Sequence, residues 1–200
     1  MEKRINSIKK QTENRFLNMY ELNYTHRDGK TSSYFMTSRL DQPEDLKLNS
    51  TEKPADAVMI YAICGDGRIV MERQYRPVLD EYIYELPAGL CEKGESIEET
   101  AVRELFEETG MKLTVKEGHH TSRPYYPSVG VTDESISTVF GYAHGEPDSK
   151  YQEETEDITV VLADREECRR ILREENVTAT AAFMLLNYIR SAEDPFDFLI

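Results

Sequence analysis

Residues 89–111 have the sequence GLCEKGESIEETAVRELFEETGM, and this stretch contains the strongest helix signal in the chain. Ser96 and Glu99 are spaced as a capping box, in which each side chain satisfies a backbone N–H group at the start of a helix. Gly110 occupies the position at which a glycine commonly ends a helix. Four apolar residues predict the side that packs on the core: Ile97, Ala101, Val102 and Leu105. The stretch therefore predicts a loop, a helix and a second loop.

Three glutamates of this predicted helix are close enough to form a cation site. Glu104, Glu107 and Glu108 project over about one turn of the same surface. Carboxylates this close repel one another unless a cation lies among them, and their hard oxygens suit Mg²⁺ or Mn²⁺ better than Zn²⁺. Gly89 would let the backbone approach the same ion, with the Ala88 carbonyl as a further ligand. The alternative interpretation is an ordinary solvated acidic face.

The complete spacing of residues 89–111, called the box below, decides between these interpretations. It consists of glycine, five residues, glutamate, seven residues, Arg-Glu, an apolar residue, any residue, Glu-Glu, any residue, glycine and an apolar residue. This pattern resembles the signature of the Nudix hydrolases at every position. The resemblance implies an α/β protein, an α/β/α sandwich with a mixed sheet. It also implies hydrolysis of a nucleoside diphosphate linked to another moiety.

The resemblance further implies a role for each matching residue. Glu104, Glu107 and Glu108 are the expected metal ligands, and Arg103 is expected to hold the glutamates in place by charge pairing. The expected cofactor is Mg²⁺, with Mn²⁺ as the alternative. Divalent cations neutralise the diphosphate oxygens and lower the pKa of the attacking water, and a base then takes a proton from that water.

Outside the box the chain resembles one branch of the family, the hydrolases of ADP-ribose and related nucleotide sugars. Four segments carry this resemblance: Arg73-Gln74-Tyr75-Arg76, Glu85-Leu86-Pro87-Ala88-Gly89, Tyr126-Pro127-Ser128-Val129-Gly130 followed by Glu134, and Glu154-Thr155-Glu156-Asp157-Ile158. Val129 departs from the pattern, since the branch often has proline there. The residues expected to bind substrate are Arg76, Glu85, Gly130 and Glu134. Arg39 is a further candidate for contacting a phosphate, although it also fits an ordinary surface arginine.

The acidic segment at residues 154–158 resembles the end of a mobile loop that supplies the catalytic carboxylate in this branch. By this analogy Glu156 is the expected base, and Glu154 is its helper or rival. The alternative is a solvated run of charges.

The N-terminal part predicts a small β subdomain over residues 1–52, before a Nudix domain over residues 53–200. Residues 16–24 and 31–40 read as the two strands of a hairpin turned by Asp28-Gly29. Residues 1–10 are expected to fray, and residues 41–54 read as a linker. An exposed hairpin with Phe16, Tyr20 and Tyr24 on one face is expected to be covered. The resemblance implies a homodimer in which these strands help to build the partner's nucleotide pocket.

Composition excludes several classes of partner. The chain has 38 acidic and 24 basic residues and a net charge of −14, which argues against binding to duplex nucleic acid or anionic membrane. No apolar run approaches the roughly 20 residues that span a bilayer. The three cysteines are not spaced as metal ligands or as a disulfide framework. They therefore indicate reduced thiols and predict a cytoplasmic protein. Residues 85–110 and 146–157 account for −11 of the net charge, so the acidity is concentrated in the box and the expected catalytic loop.

These observations predict a divalent-metal-dependent hydrolase that converts ADP-ribose to AMP and ribose 5-phosphate. A preference for GDP-mannose or a UDP-sugar is the alternative within the same chemistry. A non-catalytic ADP-ribose sensor is the alternative from another class; it would need an effector module, and an intact set of box glutamates favours catalysis.

Overall fold

The chain forms two compact units, described here one at a time. The computed structural model describes residues 3–120, 123–191 and 193–199. The first unit comprises Met1–Asp56 and Pro124–Ile136, and the second comprises Ala57–Arg123 and Ser137–Ile200. The division at residues 52 and 53 stays a prediction. The structure adds that residues 124–136 return to the first unit.

The first unit contains a three-stranded antiparallel sheet in the order β1-β2-β3. Its strands are β1 (Ile5–Lys10), β2 (Asn18–Thr25) and β3 (Thr31–Ser38). One face of the sheet packs on a small core of Tyr20, Leu22, Met36 and Leu46. Tyr20 is fully buried, and its hydroxyl donates to the carbonyls of Leu40 and Asp41. Of the three aromatic residues predicted to need a cover, Tyr20 is therefore already enclosed within its own chain.

The expectation that residues 1–10 fray is wrong for residues 5–10, which form strand β1. A bulge lies between Ile5, which pairs with Tyr24, and Ser7, which pairs with Asn23. Because the bulge inserts an extra residue, Ile5 and Ile8 both pack on the same core although they are three positions apart. The alternation of period two that signals a strand is therefore broken in the sequence.

The segment expected to be a linker, residues 41–54, is packed rather than extended. It contains a single 3₁₀ turn at Pro43–Asp45, and Leu46 and Lys47 are buried. The Lys47 ammonium contacts Asp56 Oδ2 at 2.5 Å, the Pro54 carbonyl at 3.0 Å and the Ser135 hydroxyl. A buried ammonium needs such partners, and they tie the segment to the rest of the first unit.

The second unit is built on a seven-stranded sheet. Its strands are β4 (Ala57–Cys64), β5 (Ile69–Arg76), β6 (Glu81–Glu85), β7 (Ala88–Leu90), β8 (Lys112–His120), β9 (Ile136–His144) and β10 (Ile158–Ala163). The order is β10-β5-β4-β9-β8, with β6 paired to β5 and β7 to β4. Its helices are α1 (Ile97–Thr109), α2 (Arg165–Glu174) and α3 (Ala179–Arg190).

The two faces of this sheet are covered by different parts of the chain. Helix α1 buries Ala101 and Leu105 against one face of β4, whose alternate residues Val58, Ile60 and Ala62 belong to the same core. Tyr61 points to the opposite face. There its ring meets three phenylalanines, and its hydroxyl donates to a carbonyl of the C-terminal segment; these partners are Phe140, Phe196, Phe198 and the Pro195 carbonyl.

The predicted fold class, a mixed sheet between helices preceded by a small β unit, is confirmed. The predicted hairpin is corrected to three strands. Val102 was expected on the core side of α1 but is 42% exposed, because it lies about 100° around the helix from Ala101. No helix among the described residues combines the length and apolar character needed to cross a bilayer.

Candidate active site

The box begins as a loop and continues as helix α1, with the predicted caps in place. The Ser96 side chain accepts from the Glu99 amide at 3.2 Å, and the Glu99 side chain accepts from the Ser96 amide at 2.9 Å. Gly110 ends the helix at φ 72°. At Gly89 an added Cβ would lie 1.9 Å from the carboxyl carbon of Glu104. A side chain at residue 89 would therefore displace the Glu104 carboxyl group from its place against this loop.

Arg103 is the centre of an ion-pair network on α1. Its guanidinium donates to Glu95 at 2.9 and 3.0 Å, to Glu104 at 2.8 Å and to Glu107 at 2.9 Å. It also donates to the Leu90 carbonyl at 3.1 Å. The hydrogen bonds from Arg103 lower the pKa of Glu95 to about 2. Arg103 thus links the box loop to two of the three predicted metal ligands.

Glu108, the third predicted ligand, is almost fully enclosed, with 4% of its surface exposed. One carboxyl oxygen accepts from the Ala88 amide at 3.1 Å. Ala88 lies in β7 and pairs with Met59 of β4. Burial and the neighbouring carboxyl of Glu72 raise the pKa of Glu108 well above its ordinary value.

Glu72 is the residue of this site that sequence reasoning missed. It lies in β5 with 2% of its surface exposed, and its carboxyl is hydrogen-bonded to that of Glu108. A hydrogen bond between two carboxyl groups requires one of them to carry a proton. Burial likewise raises the pKa of Glu72. The available signal was a lone acid after the apolar run Ile69–Met71.

Glu156 lies close enough to these carboxylates for its charge to act on them. The charge of Glu156 contributes to raising the pKa of Glu72, Glu104 and Glu108, after burial as the main cause. Glu156 is half-buried and its carboxylate accepts from the Glu153 amide at 3.0 Å. Glu154, by contrast, is exposed to solvent.

The loop that carries Glu156 is bound to helix α1 on one side. The Asp148 amide donates to the Thr109 carbonyl at 2.9 Å. The Gln152 side chain donates to the Glu108 carbonyl at 2.6 Å. The ring of Tyr151, which ends a 3₁₀ turn, lies 4.4 Å from that of Phe106, measured between ring centres. These contacts fix the loop at the helix end that bears Glu108.

The same loop is bound to strands β5 and β6 at its other end. The Tyr82 hydroxyl donates to the Asp157 carboxylate at 2.6 Å, and the Tyr75 amide donates to the Asp157 carbonyl at 3.0 Å. Asp157 directly follows Glu156 along the chain. Glu156 is therefore held between two anchored points.

Arg76 and Glu85, both predicted to bind substrate, form a bidentate pair across β5 and β6. Their two hydrogen bonds measure 2.6 and 3.0 Å. Both residues contribute to the electrostatics at Glu72, where Glu85 raises the pKa and Arg76 lowers it. The pair thus belongs to the same cluster as the box carboxylates.

The other predicted substrate residues lie together in the first unit. Arg39 donates to Glu134 at 2.6 Å. The Gly130 carbonyl accepts from the Tyr34 hydroxyl at 2.5 Å, and the Val131 carbonyl accepts from the Thr37 amide at 2.7 Å. The loop over residues 127–134 is therefore fastened to strand β3 of the first unit.

A comparison with known protein families identifies the family to which these box residues belong. Residues 53–182, more than half of the chain, match the family model of the NUDIX domain. The chain belongs to the Nudix family. The predicted membership and the predicted class of enzyme, a Nudix hydrolase, are confirmed.

Two curated relatives and one solved structure resemble this Nudix chain. The ADP-ribose pyrophosphatase of Bacillus subtilis (strain 168) is 31% identical over 145 residues, which cover 70% of this chain and 75% of that one. The ADP-sugar pyrophosphatase of Mus musculus is 33% identical over 111 residues, covering 53% and 47%. A crystal structure of an ADP compounds hydrolase aligns with TM-score 0.65 and 20% identity, covering 91% and 89%. That last likeness shows the fold.

The donor set of the Nudix box fits a divalent cation. Every candidate ligand supplies oxygen, as Mg²⁺ and Mn²⁺ prefer. The absence of a side chain at Gly89 lets the Glu104 carboxyl lie against the loop. Among the described residues, no three His, Cys, Asp or Glu side chains already stand in an arrangement that would hold a metal ion. Arg103 engages Glu104 and Glu107, and Glu108 is bound to the Ala88 amide. Cation binding would require these bonds to rearrange.

Proposed function

We propose that this chain hydrolyses the diphosphate bond of a nucleoside diphosphate sugar, with ADP-ribose as substrate and AMP and ribose 5-phosphate as products. The observation that carries the proposal is the attachment of the Glu156 loop to the end of α1 that bears Glu108, where the Gln152 side chain donates to the Glu108 carbonyl at 2.6 Å. The charge of Glu156 acts on the box carboxylates Glu104 and Glu108. The names of the Bacillus subtilis and mouse relatives support this choice of substrate.

The proposal assigns Glu104, Glu107, Glu108 and the Ala88 carbonyl to a Mg²⁺ site that also accepts Mn²⁺. Such a cation would neutralise diphosphate oxygens and make a nearby water easier to deprotonate. Arg103 holds two of the glutamates in place through its charge-assisted hydrogen bonds.

Glu156 is the proposed base that takes the proton from the attacking water. Two features support it over Glu154: it is half-buried, and its carboxylate accepts from the Glu153 amide. Its charge also acts on the box carboxylates. Glu154 is exposed to solvent, and its proposed role is to assist Glu156, not to act as the base.

Arg76 is proposed to contact the diphosphate. Its planar guanidinium already binds both oxygens of Glu85, and the same fork matches a phosphate. Glu85 would then be released toward the substrate or the cation. In the first unit, Gly130, Glu134 and Arg39 are proposed to contact the nucleotide sugar, with Arg39 exchanging Glu134 for a phosphate.

The test is product release from ADP-ribose, GDP-mannose and UDP-glucose with Mg²⁺ or Mn²⁺. Glu108→Gln should lower turnover at least about 100-fold, the scale expected when a metal ligand is lost. Glu156→Gln should lower kcat more than it raises KM. Glu174→Gln, the same change on the exposed surface of α2, is the control.

Three outcomes would contradict the proposal. Unchanged turnover of Glu108→Gln would remove the metal assignment. A larger loss in Glu154→Gln than in Glu156→Gln would make Glu154 the base. If the chain binds ADP-ribose but hydrolyses no substrate with either Mg²⁺ or Mn²⁺, it is a sensor and not an enzyme.

The proposal includes a homodimer in a reducing cytoplasm. The face of the first unit's sheet opposite its core exposes Met19 and Phe35, and Phe16, two residues before β2, is 67% exposed. Exposed apolar residues of this kind are often covered by a second copy. The three cysteines form no disulfide. Light scattering on the purified chain should give about twice 23.1 kDa. That the chain binds neither nucleic acid nor membrane stays a prediction.

A further inference from the structure

Glu72 is an acid at a position where an apolar residue would be expected. It shares one face of β5 with Val70, which packs in the core with Leu105 of α1. Two residues further along the same face, Glu72 meets Glu108, which lies three residues beyond Leu105 on the helix. A buried carboxyl costs free energy that a valine or isoleucine of similar size would avoid. The acid therefore needs an explanation beyond packing.

One oxygen of this carboxyl lacks the partner that burial demands. Glu72 Oε1 is fully enclosed, and no hydrogen-bond partner for it exists among the described residues. Buried polar atoms without partners are rare in folded proteins, and they commonly mark the site of an ion or a water. The group therefore points to a ligand that the protein residues do not themselves supply.

The surroundings of Glu72 indicate the charge of that ligand. Its carboxyl is bonded to that of Glu108, it pairs across the strands with Glu85, and the charge of Glu156 also acts on it. The Arg76 guanidinium also acts on it, but Arg76 is already paired with Glu85. So many anionic groups around one buried oxygen favour a cation over an anion or a neutral molecule.

We propose that Glu72 belongs to the divalent-cation site together with the three box glutamates. This inference rests on the proposed function, since it extends the cation site assigned there. Glu72 either contributes Oε1 as a ligand or orients the Glu108 carboxyl toward the ion; in both cases the carboxylate strengthens cation binding. It is not part of the box, and it lies on a different element from the other glutamates.

The test measures Mn²⁺ binding to the full chain by calorimetry, without substrate. Glu72→Gln and Glu72→Val should each weaken Mn²⁺ binding by about tenfold or more, the range seen when groups that ligate or orient a ligand are lost. Glu174→Gln should stay within about twofold of the unmutated chain. The valine variant tests whether binding is weakened by loss of the carboxylate and not by a packing defect, because valine suits this strand and packs beside Val70.

A second readout distinguishes a cation role from a structural one. In EDTA, Glu72→Gln should unfold at a higher temperature than the unmutated chain, because its amide can donate to the Glu108 carboxylate without a proton being taken up. With Mn²⁺ present this advantage should shrink or reverse, since the variant gains less stability from binding. The substitution should therefore change thermal stability differently in the two conditions.

The outcomes separate this inference from the proposed function. If the unmutated chain binds no Mn²⁺, the proposed cation site itself is wrong. If Glu108→Gln loses binding while both Glu72 variants bind within about twofold of the unmutated chain, Glu72 has a structural role and the inference alone is overturned. A Glu72→Gln variant that is less stable in EDTA and binds Mn²⁺ normally would overturn it equally.

Discussion

The side chain of Gln152 donates to the main-chain carbonyl of Glu108 at 2.6 Å. This carbonyl lies in the last turn of α1, where helical carbonyls lack partners of their own. The loop that carries Glu156 therefore satisfies an unpaired group of the very residue that the box contributes as a buried carboxyl. Loop and helix are thus joined at the point where the proposed base and the proposed ligands must be aligned.

Replacing Gln152 by Ala should lower kcat about fivefold to tenfold and leave KM nearly unchanged. The lost hydrogen bond is worth about 1 kcal/mol, which corresponds to roughly that factor in rate if it acts on the alignment of Glu156. Steady-state kinetics with ADP-ribose measure both constants. Lys150→Ala, an exposed change in the same loop, is the matched control. Equal effects of the two variants would mean that Gln152 does not position the base.

Replacing Tyr82 by Phe tests the second anchor of the same loop. The variant removes only the hydroxyl that donates to Asp157, so kcat should fall about threefold, because the bond is exposed and contributes little. Asp157→Asn keeps an acceptor and should retain most of the activity, whereas Asp157→Ala should resemble Tyr82→Phe. If the losses of kcat in Tyr82→Phe and Asp157→Ala multiply in the double variant, the two residues do not act through one bond.

The box could be predicted from the sequence because the helical repeat alone determines which of its residues share a surface. Ser96, Glu99 and Gly110 fix where the helix begins and ends, and Glu104 and Glu108 must then lie one turn apart. Such local patterns need no knowledge of the rest of the chain. The base was less certain, since Glu154 and Glu156 point the same way in an extended segment, and only the folded loop, which half-buries Glu156 and leaves Glu154 exposed, distinguishes them.

Features that depend on distant contacts could not be read in this way. Glu72 became a site residue only when α1 placed Glu108 against β5. Strand β1 was not predicted because its bulge disrupts the alternation of apolar and polar residues that indicates a strand. The return of residues 124–136 to the first unit depends on bonds such as that from Tyr34 to Gly130, which are separated by 96 positions. No local pattern encodes these pairings.

Replacing Lys47 by Met should destabilise the chain by about 3 kcal/mol. The substitution removes the ammonium that pairs with Asp56 and the Ser135 hydroxyl, and it leaves a carboxylate in a partly buried position without its counter-ion. Denaturant unfolding measures the loss. Lys30→Met, at an exposed turn, should change the free energy of unfolding by less than about 0.5 kcal/mol. The double variant with Asp56→Asn should recover part of the loss, and a purely additive result would contradict the pairing.

Stability should fall in acid partly through Glu95. Its pKa is lowered to about 2 by Arg103 in the folded chain, whereas it is near 4.3 in an unfolded chain. The folded state therefore binds fewer protons in this range, and the contribution of Glu95 is complete above the unfolded pKa and lost as pH falls toward 2. In EDTA, the melting temperature of Glu95→Gln should fall less steeply between about pH 4.5 and pH 2.5 than that of the unmutated chain. Parallel curves would show that Glu95 is not linked to folding.

Replacing Phe196 by Ala should lower the free energy of unfolding by about 3 to 5 kcal/mol. Phe196 is only 2% exposed, and its ring contacts those of Tyr61 and Tyr142 on the sheet face opposite α1. Its loss would leave a cavity and loosen the segment that accepts the Tyr61 hydroxyl bond. Phe183→Ala, which removes the same ring from a position that is 69% exposed on α3, should change stability by less than about 0.5 kcal/mol. Similar losses in the two variants would mean that the C-terminal segment does not seal this face of the sheet in solution.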